Sequence, residues 1–221
     1  MVCAVVDACL AVGCDRVVLV VGYRQDLVRN ALASYGSQVE FVEQLQQLGT
    51  GDAVRAAENL FVHEPDRDLF VLCGDGPLVR PPTLQTLLDR HRATAASATL
   101  ASSVIDDPTG YGRIVRDAHG RFVCIVEHKN ATPEQLAIRE VNPSYYCFRS
   151  GHLWPTLRRL ELNPTSREYY ITDVPAILLA QGHRVEVIEA VPPEDVLSIN
   201  TPEELAKVDE VFRARIVGER P

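Results

Sequence analysis

Apolar positions in the first half of the chain alternate between helical spacing and short continuous runs. Residues 1–12 carry apolar side chains at helical spacing, and Gly13 then ends the predicted amphipathic helix. The β-branched run at 16–21 is typical of a strand buried on both faces, and the run at 68–73 repeats it. We also predict helices near 25–33, 51–60 and 82–92 and a short strand near 39–42. This alternation predicts an α/β fold, with a mostly parallel sheet covered by helices on both faces.

From residue 96 the pattern changes to short strands joined by turns. Strands are predicted at 97–104, 113–116 and 122–127, and the turn at 118–120 is typical of a hairpin. Further along we predict strands at 141–148 and 185–191 and helices at 133–138, 151–160, 174–181 and 202–215. Neither a repeat nor a linker divides the chain. We therefore expect one domain over 1–221, with a first part at 1–95 and a β-rich second part at 96–215.

The composition narrows the class of protein. A hydrophobic content of 46% and a charged content of 24% are ordinary for a soluble globular protein. The net charge of −8 argues against nucleic-acid or membrane binding, because either surface would need clustered positive charge. The longest aliphatic run, 17–21, is far shorter than the roughly 20 residues of a membrane span. Six cysteines without a C-x-x-C pair indicate reduced core residues in a cytoplasmic protein.

Gly74 and Asp75 directly follow the second buried run. Asp75 would then lie at the carboxyl end of a parallel strand, where open α/β sheets bind ligands, and Gly74 would let the backbone approach a ligand closely. The alternative is a simple turn, since all four residues of the Gly-Asp-Gly-Pro segment are turn formers.

Asn200 precedes the last predicted helix and has two interpretations. It could cap the helix, but Thr201 fits that position better, because Pro202 follows at the first helical position and Glu204 completes a capping box. The side-chain oxygen of Asn200 is then available for another role.

Three further segments place glycine or polar residues at the ends of predicted elements. Gly49 and Thr50 precede a helix, where Thr50 could be an N-cap or the pair could let a nucleotide base lie against the backbone. Gly112 begins a strand, where glycine marks a bulge or the close approach of a ligand. Glu127 ends the next strand and could be no more than a solvated charge.

Six segments, taken in order, resemble one protein family. They are QLGTG at 47–51, Gly74-Asp75, GYGRI at 110–114, IVEHK at 125–129, EYYITD at 168–173 and Asn200. Their order and the gaps between them resemble the uridyltransferase domain of the bacterial N-acetylglucosamine-1-phosphate uridyltransferase, usually fused to a glucosamine-1-phosphate acetyltransferase. The resemblance implies a Rossmann-like sheet of the sugar nucleotidyltransferase kind with a small β-rich sugar-binding lobe.

The resemblance implies a nucleotide and metal site built from the first part and Asn200. In the family, the positions that match Gln44, Gly49 and Thr50 hold the uracil, and those that match Asp75 and Asn200 bind the catalytic Mg²⁺. One carboxylate and one amide oxygen suit a magnesium ion that takes its other ligands from water and substrate phosphates.

The resemblance likewise implies a sugar site in the part at 96–215. Residues that match Gly112, Glu127 and Asn142 hold the sugar hydroxyls and the N-acetyl group. Residues that match Tyr170 and Thr172 close the pocket. The chain departs from the family after the asparagine, where the family has a small residue and a glycine and this sequence has Pro143-Ser144.

The implied reaction joins UTP and N-acetylglucosamine 1-phosphate to give UDP-N-acetylglucosamine and pyrophosphate, in the synthesis of the peptidoglycan precursors that maintain cell shape. The sugar phosphate oxygen is already an anion, so catalysis rests on positioning and charge neutralisation rather than on a protein base. The family begins with a strand and a Gly-rich loop carrying arginine and lysine, upstream of the point that matches Met1. We therefore expect the strands at 16–21 and 68–73 to be separated by a slot, with the first strand missing.

Two other functions are compatible with these residues. The chain could be a catalytically impaired protein that binds a sugar nucleotide or a partner without turnover. It could also be a nucleotidyltransferase for another sugar or base, which the Pro143-Ser144 departure favours.

Overall fold

Eight strands and eight α-helices lie within the residues that the structure, a computed structural model, describes: 1–61, 63–199 and 201–218. In the first half their order is α1 (Val2–Ala11), β1 (Val17–Val21), α2 (Gln25–Ala31), β2 (Val39–Glu43), α3 (Thr50–Ala56), β3 (Asp68–Leu72) and α4 (Pro81–Thr94). In the second half it is β4 (Ala98–Val104), β5 (Gly112–Arg116), β6 (Phe122–Val126), α5 (Pro133–Leu136), β7 (Glu140–Arg149), α6 (Ser150–Leu157), α7 (Val174–Ala180), β8 (Val185–Glu189) and α8 (Pro202–Gly218). Every predicted helix and strand is present, with ends that differ by a few residues.

The strands form two sheets. β1 and β2 make a parallel pair, and the larger sheet has the order β6-β5-β7-β4-β8, with β3 also paired to β7. β4 and β8 are parallel, whereas β7 runs antiparallel to β3, β4 and β5. Helices flank the sheets, so the expected α/β fold class is confirmed, with β7 as a reversed strand at the centre of the larger sheet.

β7 organises the core because it is long enough to pair with three strands. Its residues Tyr145–Arg149 pair with β3, and Val141 and Asn142 pair with β5 on the same edge, while β4 covers the other edge. Side chains alternate along it, as strand geometry requires. Tyr146 and Phe148 belong to one buried cluster with Trp154, and Tyr145 and Cys147 belong to a second cluster with the α4 leucines Leu84 and Leu87.

A slot separates β1 from β3. Within the described residues the two strands are not hydrogen-bonded to each other, because β1 pairs with β2 and β3 pairs with β7. The slot has a volume of about 1440 Å³ and is lined by both strands, α1 and Trp154. In β1 only Val21 is buried, and all of β3 is half-buried. The expectation of a slot is confirmed, and the slot explains why these apolar runs are not buried on both faces.

The last helix begins with the predicted capping box. The Thr201 backbone N–H donates to Glu204 Oε2 at 2.9 Å, and the Glu204 N–H donates to Thr201 Oγ1 at 3.2 Å. Farther along α8, Arg215 donates to the buried carboxylate of Asp195 and to the Leu78 carbonyl, which ties the helix to the segment after β3. None of the helices in the described ranges is long and apolar enough to cross a membrane.

Candidate active site

The corner before α3 brings together the three residues predicted to hold a base. Gly49 has a φ of +98°, and a Cβ there would lie 2.6 Å from the Tyr169 carbonyl oxygen, so only glycine fits. Thr50 is the first residue of α3 rather than its N-cap, and its Oγ1 accepts a hydrogen bond from the Ile171 N–H at 3.1 Å. The Gln44 side-chain amide donates to the Gly49 carbonyl at 3.2 Å, which fixes the Gln44 side chain against this corner.

The segment 169–172 connects this corner to the second part of the chain. Its backbone docks on both sides of Gly49, because Tyr169 N–H donates to the Leu48 carbonyl at 2.7 Å and Gly51 N–H donates to the Tyr169 carbonyl at 2.8 Å. Tyr170 and Thr172, the predicted pocket-closing residues, are both buried. The segment therefore places them between the predicted base-binding and sugar-binding residues.

The predicted sugar-binding residues Gly112, Glu127 and Asn142 also lie together. Gly112 of β5 is paired in register with Asn142 of β7. A Cβ on Gly112 would lie 3.0 Å from Ile125 Cγ2 and 3.8 Å from both Glu127 Oε2 and the Asn142 Cβ, so a side chain here would crowd Ile125 beside the two polar residues. The other Glu127 oxygen accepts a hydrogen bond from Thr172 Oγ1 at 2.8 Å, which holds the carboxylate in place.

The amide of Asn142 is occupied by internal hydrogen bonds. Its Nδ2 donates to Tyr146 Oη at 2.7 Å and to Ser144 Oγ at 3.4 Å, and its Oδ1 accepts from the Ser144 N–H at 3.3 Å. Both N–H groups are thus used, so the remaining capacity is the second lone pair of Oδ1. Ser144 itself has a φ of +65°, the left-handed region that favours glycine, which gives a physical reason for the glycine that the resembled family has here.

Asp75 lies at the edge of the same region. A small cavity of about 100 Å³ is lined by Asp75, Asn142, Tyr111 and Ser198 among others. The Asp75 carbonyl accepts a hydrogen bond from the Ile199 N–H at 3.1 Å, so the chain on the N-terminal side of position 200 reaches Asp75. Gly74 lies next to α1, where a Cβ would be 3.8 Å from Val2 Cγ2.

Two carboxyl groups of the site, those of Asp75 and Asp173, have raised pKa values. Burial raises the pKa of Asp75, and the nearby charge of Glu204 adds to the effect. Burial also raises the pKa of Asp173, with a contribution from Glu127, and burial beside Asp75 raises the pKa of the Cys73 thiol to about 11. A bound cation would relieve this concentration of negative charge, so the oxygen donor of Asp75 suits Mg²⁺.

The magnesium pair stays a prediction. Asn200, the second predicted ligand, lies outside the described residues. Among the residues that the structure describes, no group of three or more His, Cys, Asp or Glu side chains could hold a metal ion. This is compatible with a site that uses one carboxylate, an amide oxygen and substrate phosphates, because such a site contains no cluster of this kind.

Two further residues of the site were not singled out from the sequence. Arg113 is fully buried, and its guanidinium donates to the Tyr111 carbonyl and contacts His128 Nδ1 at 3.3 Å. The Gly110 N–H donates to the same His128 nitrogen at 3.2 Å. His128 therefore links the turn before Gly112 to the strand end that carries Glu127. The sequence signal that could have revealed Arg113 is a charged residue inside an otherwise apolar strand.

Comparisons with known proteins extend these observations. The sequence pattern of the nucleotidyl transferase family matches residues 1–192 of this chain. The chain is 42% identical over 212 residues to the bifunctional protein GlmU of Solibacter usitatus, a match that covers 96% of this chain and 45% of that protein. It is 37% identical over 201 residues to the bifunctional protein GlmU of Desulfotalea psychrophila, covering 91% and 58%. The chain thus spans about half the length of the curated relatives it matches.

Solved structures give the same fold. The crystal structure of UDP-glucose pyrophosphorylase complexed with UDP-glucose has a TM-score of 0.71 and 14% sequence identity, over 96% of this chain and 86% of that one. The apo form of UDP-glucose pyrophosphorylase also has a TM-score of 0.71, with 16% identity. At this identity the match establishes the sugar nucleotidyltransferase fold alone.

Proposed function

This chain belongs to the nucleotidyl transferase family, and from that premise we propose that it serves the formation of UDP-N-acetylglucosamine. A phosphate oxygen of N-acetylglucosamine 1-phosphate attacks the α-phosphorus of UTP. The bond from that phosphorus to the bridging oxygen of the β-phosphate breaks, and pyrophosphate leaves. No proton has to move, because the attacking and leaving oxygens are both anionic at neutral pH.

The observation that supports this proposal is an unbroken series of contacts across the candidate site. Gln44 contacts Gly49, and Thr50 contacts Ile171. The adjacent Thr172 holds Glu127, which faces Gly112, the register partner of Asn142. Asn142 and Asp75 then line one small cavity. This series connects the proposed base-binding corner with the proposed sugar-binding residues, and Asp75 lies beside the sugar-binding end.

Each end of this series offers chemistry that suits its proposed ligand. Close packing of Gly49 against Tyr169 leaves backbone and amide groups, rather than bulky side chains, at the corner where the base would lie. At the other end, Glu127 and Asn142 Oδ1 offer acceptors for sugar hydroxyls. Hydrogen bonds to a charged acceptor such as Glu127 are worth about 1.5–3 kcal/mol each, so this end would contribute much of the selectivity.

Asp75 would hold Mg²⁺ together with Asn200. When bound, the ion supplies positive charge that neutralises the phosphates of both substrates. The carboxylate of Asp75 and a triphosphate would repel each other without a cation between them. Asp75 would therefore help to hold the cation beside the phosphates, while the base and sugar residues would hold the two ends of the reacting pair.

The test is pyrophosphate release from UTP, Mg²⁺ and N-acetylglucosamine 1-phosphate by the full chain, compared with Asp75→Asn. Loss of the charged metal ligand is expected to lower the rate by roughly 100-fold or more. Asp89→Asn is the matched control, because Asp89 is an exposed acid on α4. Calorimetric titration with Mn²⁺ gives a second readout, in which Asp75→Asn should weaken binding while Asp89→Asn should not.

Two alternatives are separated by the same experiment. Ser144 in a left-handed conformation beside Asn142 favours the possibility of a different sugar, and glucose 1-phosphate tests it directly. Faster pyrophosphate release with glucose 1-phosphate would overturn the proposed sugar. Tight binding of UDP-N-acetylglucosamine without pyrophosphate release from any sugar phosphate would instead establish a binding protein.

A further inference from the structure

Helix α1 ends in a turn that brings two cysteines face to face. The Cys14 N–H donates to the Cys9 carbonyl at 3.0 Å, and the Gly13 N–H donates to the Leu10 carbonyl at 3.0 Å. Gly13 has a φ of +89°. These features define a Schellman motif, in which the residue three places before the helix end packs its side chain against the second residue after the cap. In this helix those two residues are Cys9 and Cys14.

The geometry of this motif is compatible with a disulfide bond. A backbone hydrogen bond of 3.0 Å between Cys14 and Cys9 leaves their Cα atoms about 5–6 Å apart. That separation lies within the range that disulfide bonds span without backbone movement. In this motif the two side chains pack against each other, so the two sulfur atoms face each other.

The surroundings of this pair differ from those of Cys3 and Cys147. Cys9 is buried and Cys14 is half-buried, and both border the slot between β1 and β3. A small solute can therefore reach the pair from the slot. By contrast, the Cys3 sulfur contacts the Ala31 carbonyl at 3.6 Å, and Cys147 is fully buried in the core. All six cysteines are free thiols.

We propose that Cys9 and Cys14 form an oxidisable dithiol, a modification site at which hydrogen peroxide converts two thiols into one disulfide bond. The Cys14 thiolate attacks one peroxide oxygen, the O–O bond breaks, and the Cys14 sulfenic acid forms as hydroxide leaves and takes up a proton. The Cys9 thiol then gives up its proton and attacks the Cys14 sulfur, and water leaves. Two thiols and one peroxide thus give one disulfide and two waters, and the turn after α1 is locked.

Exposure and electrostatics together assign the roles of the two sulfurs, because Cys14 is half-buried beside the slot whereas Cys9 is buried. The hydrogen bond from Cys9 lowers the pKa of the Cys14 thiol, although burial and the neighbouring Asp15 oppose this. The same hydrogen bond, together with burial, raises the pKa of Cys9. Cys14 is therefore the sulfur that ionises and attacks first, and Cys9 is the resolving thiol.

Peptide mapping of the full chain tests this site. Trypsin cleaves first after Arg16, so one peptide, residues 1–16, carries Cys3, Cys9 and Cys14. After peroxide and iodoacetamide we expect this peptide to carry one alkyl group, on Cys3, and to have lost two hydrogen atoms. Dithiothreitol before alkylation should restore three alkyl groups. Oxidation of Met1 adds an oxygen atom, so it is distinguished by mass.

Variants sharpen the assignment. Cys9→Ser should leave a Cys14 sulfenic acid that dimedone traps, Cys14→Ser should abolish both the bond and the adduct, and Cys3→Ser should retain the bond. Three alkylated cysteines in peptide 1–16 at peroxide levels that fully oxidise Met1 would overturn the proposal. So would a disulfide that joins Cys14 to Cys73 or Cys147. Mapping of the unmodified sequence decides the question even if a variant fails to fold.

Discussion

β1 and β4 are both short strands, but the more apolar of the two is the less buried. β1 is entirely aliphatic, VVLVV, yet only Val21 is buried, whereas β4 reads ATLASSV and is buried in six of its seven residues. The difference lies in their neighbours. β4 is paired with β7 on one edge and β8 on the other, whereas β1 is paired with β2 alone among the described residues and faces the slot. Burial of a strand therefore follows from its place in the sheet more than from its hydrophobicity.

Two of the three polar residues of β4, Thr99 and Ser102, show how such burial is tolerated, whereas Ser103 Oγ is buried without a hydrogen-bond partner among the described residues. Ser102 Oγ donates to Glu140 Oε1 at 2.7 Å, and Thr99 Oγ1 lies 2.9 Å from His91 Nδ1. Buried hydroxyls with partners cost little, because the hydrogen bond replaces the lost contact with water. The aliphatic side chains of β1 have no such requirement, and they form the wall of an open slot.

Replacing one leucine by alanine in each strand tests whether β4 is more buried than β1 in solution. Leu100→Ala in β4 removes a fully buried side chain and should lower the free energy of unfolding by about 2–5 kcal/mol. Leu19→Ala in β1 removes a half-buried side chain that borders the slot and should cost only about 1 kcal/mol. Urea denaturation of both variants measures the difference. Equal losses would mean that the slot is closed in solution.

Two glycine substitutions test the corner at Gly49, where the segment 169–172 docks before α3. A Cβ at Gly49 would lie 2.6 Å from the Tyr169 carbonyl, whereas Gly36 also has positive φ but nothing within 4 Å of a Cβ. Gly36→Ala should therefore cost about 1 kcal/mol for backbone strain alone, and Gly49→Ala about 2–4 kcal/mol. Gly49→Ala should also weaken UTP binding, measured by calorimetry. A similar cost at both positions would show that segment 169–172 moves freely.

The helices and strands were predictable because their apolar periodicity is strong, whereas their pairing was not. Nothing in the sequence of β7 indicates that it runs antiparallel between β3, β4 and β5, since periodicity carries no information on strand neighbours. The same limit applies to the site. Asp75 and Glu127 could be proposed from motifs, but the contact of Arg113 with His128 depends on how β5 and the segment after β6 meet.

The stability of the region around β4 should also depend on pH, because the buried His91 contacts Thr99 of this strand. Burial lowers the pKa of His91, while Asp68 opposes the shift and Arg92 and Arg149 reinforce it. The unfolded chain then binds more protons than the native state below about pH 6.5, so stability is complete above that pH and is lost as the pH falls. Thermal melts from about pH 7 to about pH 5 should show a steeper decline for the parent than for His91→Asn. The exposed His119→Asn variant should behave like the parent, and equal slopes for all three would contradict the assignment.

His128 offers a smaller effect on function. Because its Nδ1 accepts from Gly110 and contacts Arg113, its replacement should loosen the proposed sugar site without touching the phosphates. His128→Leu should raise KM for the sugar phosphate roughly 3–10-fold with little change in kcat, the size expected for one or two lost hydrogen bonds. His128→Asn, which keeps an acceptor near the Nδ1 position, should restore most of the affinity. A fall in kcat at constant KM would place His128 nearer the reacting phosphates.

Ser144 should give the smallest effect and the most direct test of the departure from the family pattern. Its φ of +65° costs about 1–2 kcal/mol for a residue with a Cβ, whereas glycine would relieve this strain but lose about 0.5–1 kcal/mol through the entropy of the unfolded chain.

Ser144→Gly should therefore raise the free energy of unfolding by no more than about 1 kcal/mol. Ser144→Ala is the matched control, because it removes the same hydroxyl and keeps the Cβ, so the difference between the two variants reports the relieved backbone strain less the entropy that glycine adds to the unfolded chain. Both variants also free one Asn142 N–H that now donates to Ser144 Oγ. Both should then bind a sugar phosphate more tightly than the parent if Asn142 reads the sugar. Unchanged binding in both would remove Asn142 from the site and leave Glu127 as its main polar contact.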